Sequence, residues 1–250
     1  MVEPAQVEEL LCDAFSRDLS LLAALSDEEP TPQLLESLRE VPARDWFAFL
    51  AKSEISQGAL ALIAAALEDL PSPIDQKTYD DLGADYANIY LLHAYRAPPT
   101  ESPWLDKDQL ERQQPMFELA EWYEGHGLKV ADRQLRSDDH FVLQLKFLSH
   151  MLAQTARPAH ARLSEAARFL DAHLLRWFGQ FAERIATRCA TPYFCGVVTL
   201  THGYLEDMRD ELANRLDMPR AALGTSAELR AHREVAEPPP RYMPGVAPSW

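Results

Sequence analysis

Glycine is scarce in this chain, 9 of 250 residues, and polar–apolar alternation of the strand type is rare. Both observations argue against a sheet architecture. Cysteine is scarcer still: Cys12, Cys189 and Cys195 make an odd set with no Cys-x-x-Cys pair. A disulfide framework is not expected, and a reducing, cytoplasmic compartment is. Long apolar runs are missing too. The longest, "ALALIAAAL" at 59–67, is about half of the ~20 residues a bilayer-spanning helix needs. It reads as a buried core helix, with no stable membrane insertion. The opening "MVEPAQVEELLCDAF" has neither a basic n-region nor an apolar h-region, so no secretory signal is expected. Bases are outnumbered, 24 against 39 acids, for a net charge of −15. Residues 1–70 alone hold 14 acids and 4 bases. Such a field repels nucleic acid and anionic membranes and favours a basic partner.

Catalytic and metal signatures are missing as well. The chain has no Gly-x-Ser-x-Gly, no phosphate loop and no Gly-x-Gly-x-x-Gly. It has no His-Glu-x-x-His, and none of its 8 histidines follows a Glu at a spacing of three. No cofactor, metal or catalytic residue is expected.

What is present is helix. Leu, Ala, Glu, Arg and Gln dominate, all good helix formers. Apolar residues recur at helical spacing over 4–26, with Val7, Leu10, Leu11, Phe15, Leu19 and Leu22. Thr31 and Pro32 read as an N-cap and first helical residue. Further helices are expected through Leu38, around Trp46, Phe47 and Leu50, over 54–69, and over 75–95. "RAPPTESPWLDKD" at 96–108 carries three prolines, which exclude regular helix there. Helix resumes near Pro115 and stops at "GHGL" (125–128), where Gly125 or Gly127 suits a left-handed cap. The second half reads as helices over 138–155, 158–187 with a break near Gly179, and 191–215. The expected organisation is all-α: an N-terminal lobe at 1–130, a C-terminal lobe at 131–217, and a mobile proline-rich tail at 218–250. A joint near 129–137 would permit lobe exchange, so monomer and dimer both stay open.

The stretch "SDDHFVLQLKFLSHML" at 137–152 stands apart. Ser137 reads as an N-cap with Asp138 and Asp139 in the first turn, where carboxylates complement the helix dipole. His140 follows at the third helical position. His140 and His150 point about 80° apart around a helix and cannot share a metal ion. Gln144 sits within the apolar arc of Leu143, Phe147, Met151, Leu148, Phe141, Leu152 and Leu145. A buried amide needs partners: it is either a satisfied core glutamine or a polar anchor at a groove edge.

Three landmarks therefore follow in order: the aromatic-rich "DYANIYLL" (85–92), the proline loop "PPTESPWLD" (98–106), and "DDHFVLQLKFLSHML" (138–152). Near the end come "LLRWFGQFAERI" and "PYFCGVVTLTHGYLEDM". This set resembles the TorD/DmsD/NarJ-type cytoplasmic chaperones, the redox enzyme maturation proteins, over roughly residues 80–215. Departures exist: Asp138 stands where Glu or Pro is commoner, Thr100 where an aromatic follows the double proline, and Trp104 where tyrosine is usual.

The resemblance implies a two-lobed, all-helical bundle of the TorD-like type that is not an enzyme. Members bind the apo catalytic subunit of a molybdenum-containing oxidoreductase, often through its twin-arginine signal peptide, before export. Carried over, the peptide-binding residues are Asp139, His140, Trp104, Pro99, Ser102, Tyr86 and Tyr90. Charge chemistry adds Asp138 and Glu101 as partners for guanidinium groups, and Gln144 is the candidate groove anchor. Two other readings stand beside this one. One is a helical hydrolase or nucleotide-binding enzyme using Asp139 and His140; the other is an adaptor acting through the acidic N-terminal lobe.

Overall fold

A computed structural model describes residues 3–49, 52–131 and 136–220. Among these residues the fold is all-α, and the only strand-like pairing is one isolated antiparallel bridge between Thr100 and His140. In chain order the α-helices are α1 (Pro4–Asp27), α2 (Pro32–Glu40), α3 (Glu54–Glu68), α4 (Gln76–Tyr86), α5 (Ser102–Leu105), α6 (Gln114–Gly125), α7 (Phe141–Leu152), α8 (Ala159–Ala172), α9 (Leu174–Ala186) and α10 (Pro192–Leu216).

Several starts follow directly from local chemistry. Thr31 caps α2 by accepting from the Leu34 amide, with Pro32 at the first turn. Ser53 caps α3 by accepting from the Ser56 amide, and Asp75 caps α4 by accepting from the Thr78 amide. The apolar stripe predicted for the first helix is buried at Phe15, Leu19 and Leu22, which are fully enclosed, while Leu10 near its start is 59% exposed.

Helices from both halves of the chain share one core. α1 lies along α7 and α8, and α3 lies along α10. The α1–α7 contact is close enough for serines to meet: Ser149 Oγ donates to Ser16 O at 2.8 Å, and Ser20 Oγ and Ser149 Oγ are 2.7 Å apart. The α3–α10 contact depends on two glycines. A Cβ on Gly196 would fall 2.4 Å from Ile63 Cγ1, and one on Gly203 2.5 Å from Ser56 Oγ, so neither position admits a side chain unless its neighbour moves. Residues 132–135, in the expected joint, and 221–250, in the expected tail, lie outside the described residues.

Four boundaries differ from the sequence reading, each for a local reason. Around Trp46 and Phe47 only a 3-10 turn forms, Ala43–Asp45. The chain beyond is held by buried Asp18, whose carboxylate accepts from the Ala48 and Phe49 amides and from Tyr204 OH; Leu50 lies outside the described residues. The fourth helix widens to a π-turn over Ala87–Leu91 and ends there, with His93 and Arg96 at positive φ. The proline loop contains a helical turn after all, α5, because Pro103 sits in its first turn where no amide is needed. The long C-terminal helix breaks at His173, not at Gly179. His173 takes φ −127° and ψ −90° and turns its ring inward. Gly179 stays helical and leaves room for His202, whose Nε2 would lie 3.0 Å from an added Cβ. Of the two glycines proposed to end α6, Gly127 takes the left-handed conformation, φ 70°.

Candidate functional site

The proline loop packs onto the start of α7. Pro98 and Pro99 fix an extended backbone without amide donors, so the loop pairs through its neighbours. Phe141 N donates to Pro99 O, and Glu101 N donates to Asp139 O, both at 3.0 Å. Trp104 Nε1 folds back onto Pro98 O at 2.8 Å.

Residues 137–140 cap two helices, and not in the way the sequence suggests. Ser137 is not the cap of α7. His140 is, its Nδ1 accepting from Val142 N at 3.2 Å, and α7 begins at Phe141. Ser137 supplies a carbonyl instead, to His140 N. Asp139 turns to the loop: its Oδ2 accepts from Ser102 N at 2.8 Å and from Ser102 Oγ at 2.5 Å, capping the first turn of α5. Ser102 Oγ in turn accepts from Gln113 N at 3.0 Å, which sets the entry to α6. Tyr123 OH, near the end of α6, donates to Asp138 O at 2.8 Å.

A second layer closes this latch. Gln144 Nε2 donates to Glu101 Oε2 at 3.1 Å and to Asp139 O at 3.0 Å. The other Glu101 oxygen lies 3.2 Å from His173 Nδ1, at the α8–α9 break. Gln144 is thus fully buried, with its amide nitrogen satisfied and its Oε1 without a hydrogen-bond partner among the described residues. Glu101, Ser102, Asp139 and Gln144 all have 0% exposure and Asp138 has 1%.

Burial sets the charge states. It raises the Glu101 carboxyl above its ordinary range, opposed by the His173 contact. It pushes His140 down to about 3, with Arg136 adding to the effect. His140 is therefore neutral at physiological pH, stacked on Phe141.

The remaining expected residues are placed as follows. Tyr86 and Tyr90 are core residues at 5% exposure, 4.9 Å apart by ring centroids. Tyr86 OH donates to Asp27 O, and the Tyr90 ring packs on Phe141 and Phe194. Pro99 is buried. Trp104 is half-buried against Trp177 and Phe181, and the Arg184 guanidinium lies 4.5 Å over its ring. That indole face already holds a cation.

Two cavities flank the C-terminal half of α6, beside the latch. One, about 310 Å³, is mainly apolar, lined by Leu128, Val130, Leu143 and Phe147 with Lys129 and Lys146 among its rim. The other, about 470 Å³, is lined by Glu118, Glu121, Trp122, His126, Glu165 and His173. Sequence reasoning missed this second group. The signal was present: Glu118, Glu121, Trp122 and Gly125 recur at i, i+3, i+4 and i+7, on one helix face. Among the described residues no three His, Cys, Asp or Glu side chains are grouped to hold a metal ion, and no helix is long and apolar enough to cross a membrane.

The family model of the nitrate reductase delta subunit matches residues 53–183, more than half the chain. The chain belongs to that family. The match runs from the cap of α3 through the proline loop, α6, α7 and most of α9, so it contains the latch and both cavities. Relatives include the chaperone protein TorD of Vibrio vulnificus strain YJ016, 26% identical over 171 residues, covering 66% of this chain and 79% of the relative. TorD of Actinobacillus succinogenes is 28% identical over 209 residues, covering 83% and 100%. TorD of Psychrobacter sp. strain PRwf-1 is 29% identical over 161 residues, covering 61% and 71%. These family members are chaperones, and the family role is chaperoning, not catalysis.

Proposed function

We propose that this chain is a system-specific chaperone that binds the apo catalytic subunit of a molybdenum-containing oxidoreductase through its twin-arginine signal peptide and holds it until cofactor is inserted. The observation that carries the reading is the span of the family match, which includes the latched loop and α7. Charge supports it: a chain at −15 attracts a cationic leader and repels anionic surfaces.

The motif residues serve this function mainly as a frame. Asp139, Glu101, Ser102 and Gln144 fix the loop on α7, the Asp138 carbonyl holds Tyr123 of α6, and the leader is received beside them. Pro99, Trp104 and His140 lie at the loop's seam; Tyr86 and Tyr90 support it from within the core. The adaptor reading is weaker, because acids of α1 are engaged inside the fold. Glu9 pairs with Arg162, Asp27 with Arg136 and Lys146, and Asp18 is buried. Catalysis by Asp139 and His140 is disfavoured by the same burial.

The test is calorimetric titration with a synthetic leader carrying paired arginines and an apolar segment. Binding is expected, weaker at high salt as screening shortens the reach of charge to about 10 Å near 0.1 M, and weaker again for a paired-glutamine version. Absence of binding, or equal binding of the glutamine version, overturns the reading.

A further inference from the structure

The 470 Å³ cavity between α6 and the α8–α9 break has its own chemistry. The Trp122 indole lines it, near-perpendicular to Phe169 at 5.3 Å and to His173 at 6.2 Å and with the His126 ring parallel to it at 6.5 Å. Its carboxylates differ in what they already hold. Glu165 is paired with Arg157 at 2.5 Å and lies 3.4 Å from His126. Among the described residues Glu118 accepts one long bond, from Gln114 Nε2 at 3.3 Å. Glu121 makes no hydrogen bond or ion pair among the described residues, and it is exposed.

A second, independent feature is His173. Its side chain lines the cavity although only 1% of the residue is exposed. Nδ1 is engaged by Glu101, and Nε2 makes no hydrogen bond among the described residues. In the tautomer whose Nδ1–H donates a hydrogen bond to that carboxylate, Nε2 is an acceptor.

The geometry points to this cavity as the seat of an arginine side chain of the leader, an inference that rests on the proposed function. An anion is opposed by the carboxylates. A metal ion lacks a suitable ligand group among the described residues. A planar guanidinium satisfies each wall at once: it lies on an indole face, forks to Glu118 and Glu121, and donates to His173. An ammonium matches the charge without the plane or the fork. Because His173 also holds Glu101, an occupant here touches the residue that closes the latch.

The experiment uses the full chain labelled with 5-fluorotryptophan, the Trp122 resonance being assigned with Trp122→Phe. N-acetyl-arginine methylamide is titrated in, then its citrulline counterpart, which has the shape without the charge. The paired-arginine leader is then titrated by calorimetry into wild type and into the double variant Glu118→Gln with Glu121→Gln. The arginine compound is expected to shift the Trp122 resonance and citrulline to leave it in place. The double variant, folded with an unchanged melting temperature, is expected to bind the leader about tenfold more weakly through lost charge-assisted bonds. Equal shifts by both compounds, no shift by either, or a double variant with wild-type leader affinity overturns the assignment. If the arginine compound shifts Trp122 but the leader does not bind wild type, the cation seat stands and the leader reading falls.

Discussion

The latch and the acidic cavity use the same kinds of side chain toward opposite ends. Both contain carboxylates, an imidazole and an indole. In the latch, Glu101 and Asp139 are fully enclosed and accept from Gln144 and Ser102. In the cavity, Glu118 and Glu121 reach solvent with almost nothing bound to them. A buried carboxylate bonded across the fold, as Asp139 is through Oδ2, holds it together; an exposed one with free lone pairs is available to a partner. On the proposed function, the eye-catching sequence motif marks the frame, and the plainer residues of α6 mark the surface that the frame presents.

The widest separation between the two regions should appear in stability. Asp139→Ala removes both bonds to Ser102 and uncaps α5. It is expected to cost about 3 kcal/mol in urea denaturation. A variant as stable as wild type would break the comparison at once. Gln144→Leu should follow at about 2 kcal/mol, since it leaves Glu101 Oε2 without its amide donor.

The third effect is a pH dependence. His140 titrates near 6.5 when unfolded and near 3 when folded. Between those values the unfolded chain takes up a proton that the folded chain refuses, so stability present above pH 6.5 is lost as pH falls toward 3. His140→Asn keeps a capping side chain and removes the titration. Wild type should lose about 1–2 kcal/mol more than this variant between pH 7 and pH 5. Parallel pH profiles would show that His140 is more solvated than its packing indicates.

The smallest stability effect belongs to the cavity. Glu118→Gln with Glu121→Gln should stay within about 0.5 kcal/mol of wild type, because neither carboxylate supports the fold. A large loss would move these residues from the binding surface into the frame.

Much of the fold was legible in the sequence because helical periodicity and caps are local. The stripe through Phe15, Leu19 and Leu22, the Thr31–Pro32 start and the left-handed cap near the end of α6 all follow from neighbours in the chain. What was not legible depends on distant partners. Asp139 reads as a first-turn carboxylate of its own helix, yet it caps a turn 37 residues away. Ser137 reads as a cap, yet His140 takes that place. His173 at the break meets Glu101, 72 residues away, a pairing that no periodicity contains. Burial itself was the main gap: Asp139 and Glu101 look like surface chemistry by type and are interior by position. In the cavity the α6 spacing was visible, but its pairing with the α8–α9 break was not.

The most direct test of the account is where the leader's arginines come to rest. A photoreactive residue placed beside the paired arginines of the bound leader should cross-link to Gln114–Gly125 and to the Ala172–His173 break. Cross-links confined to the proline loop at 98–106 and the α7 start at 138–144, with none on α6, would contradict it.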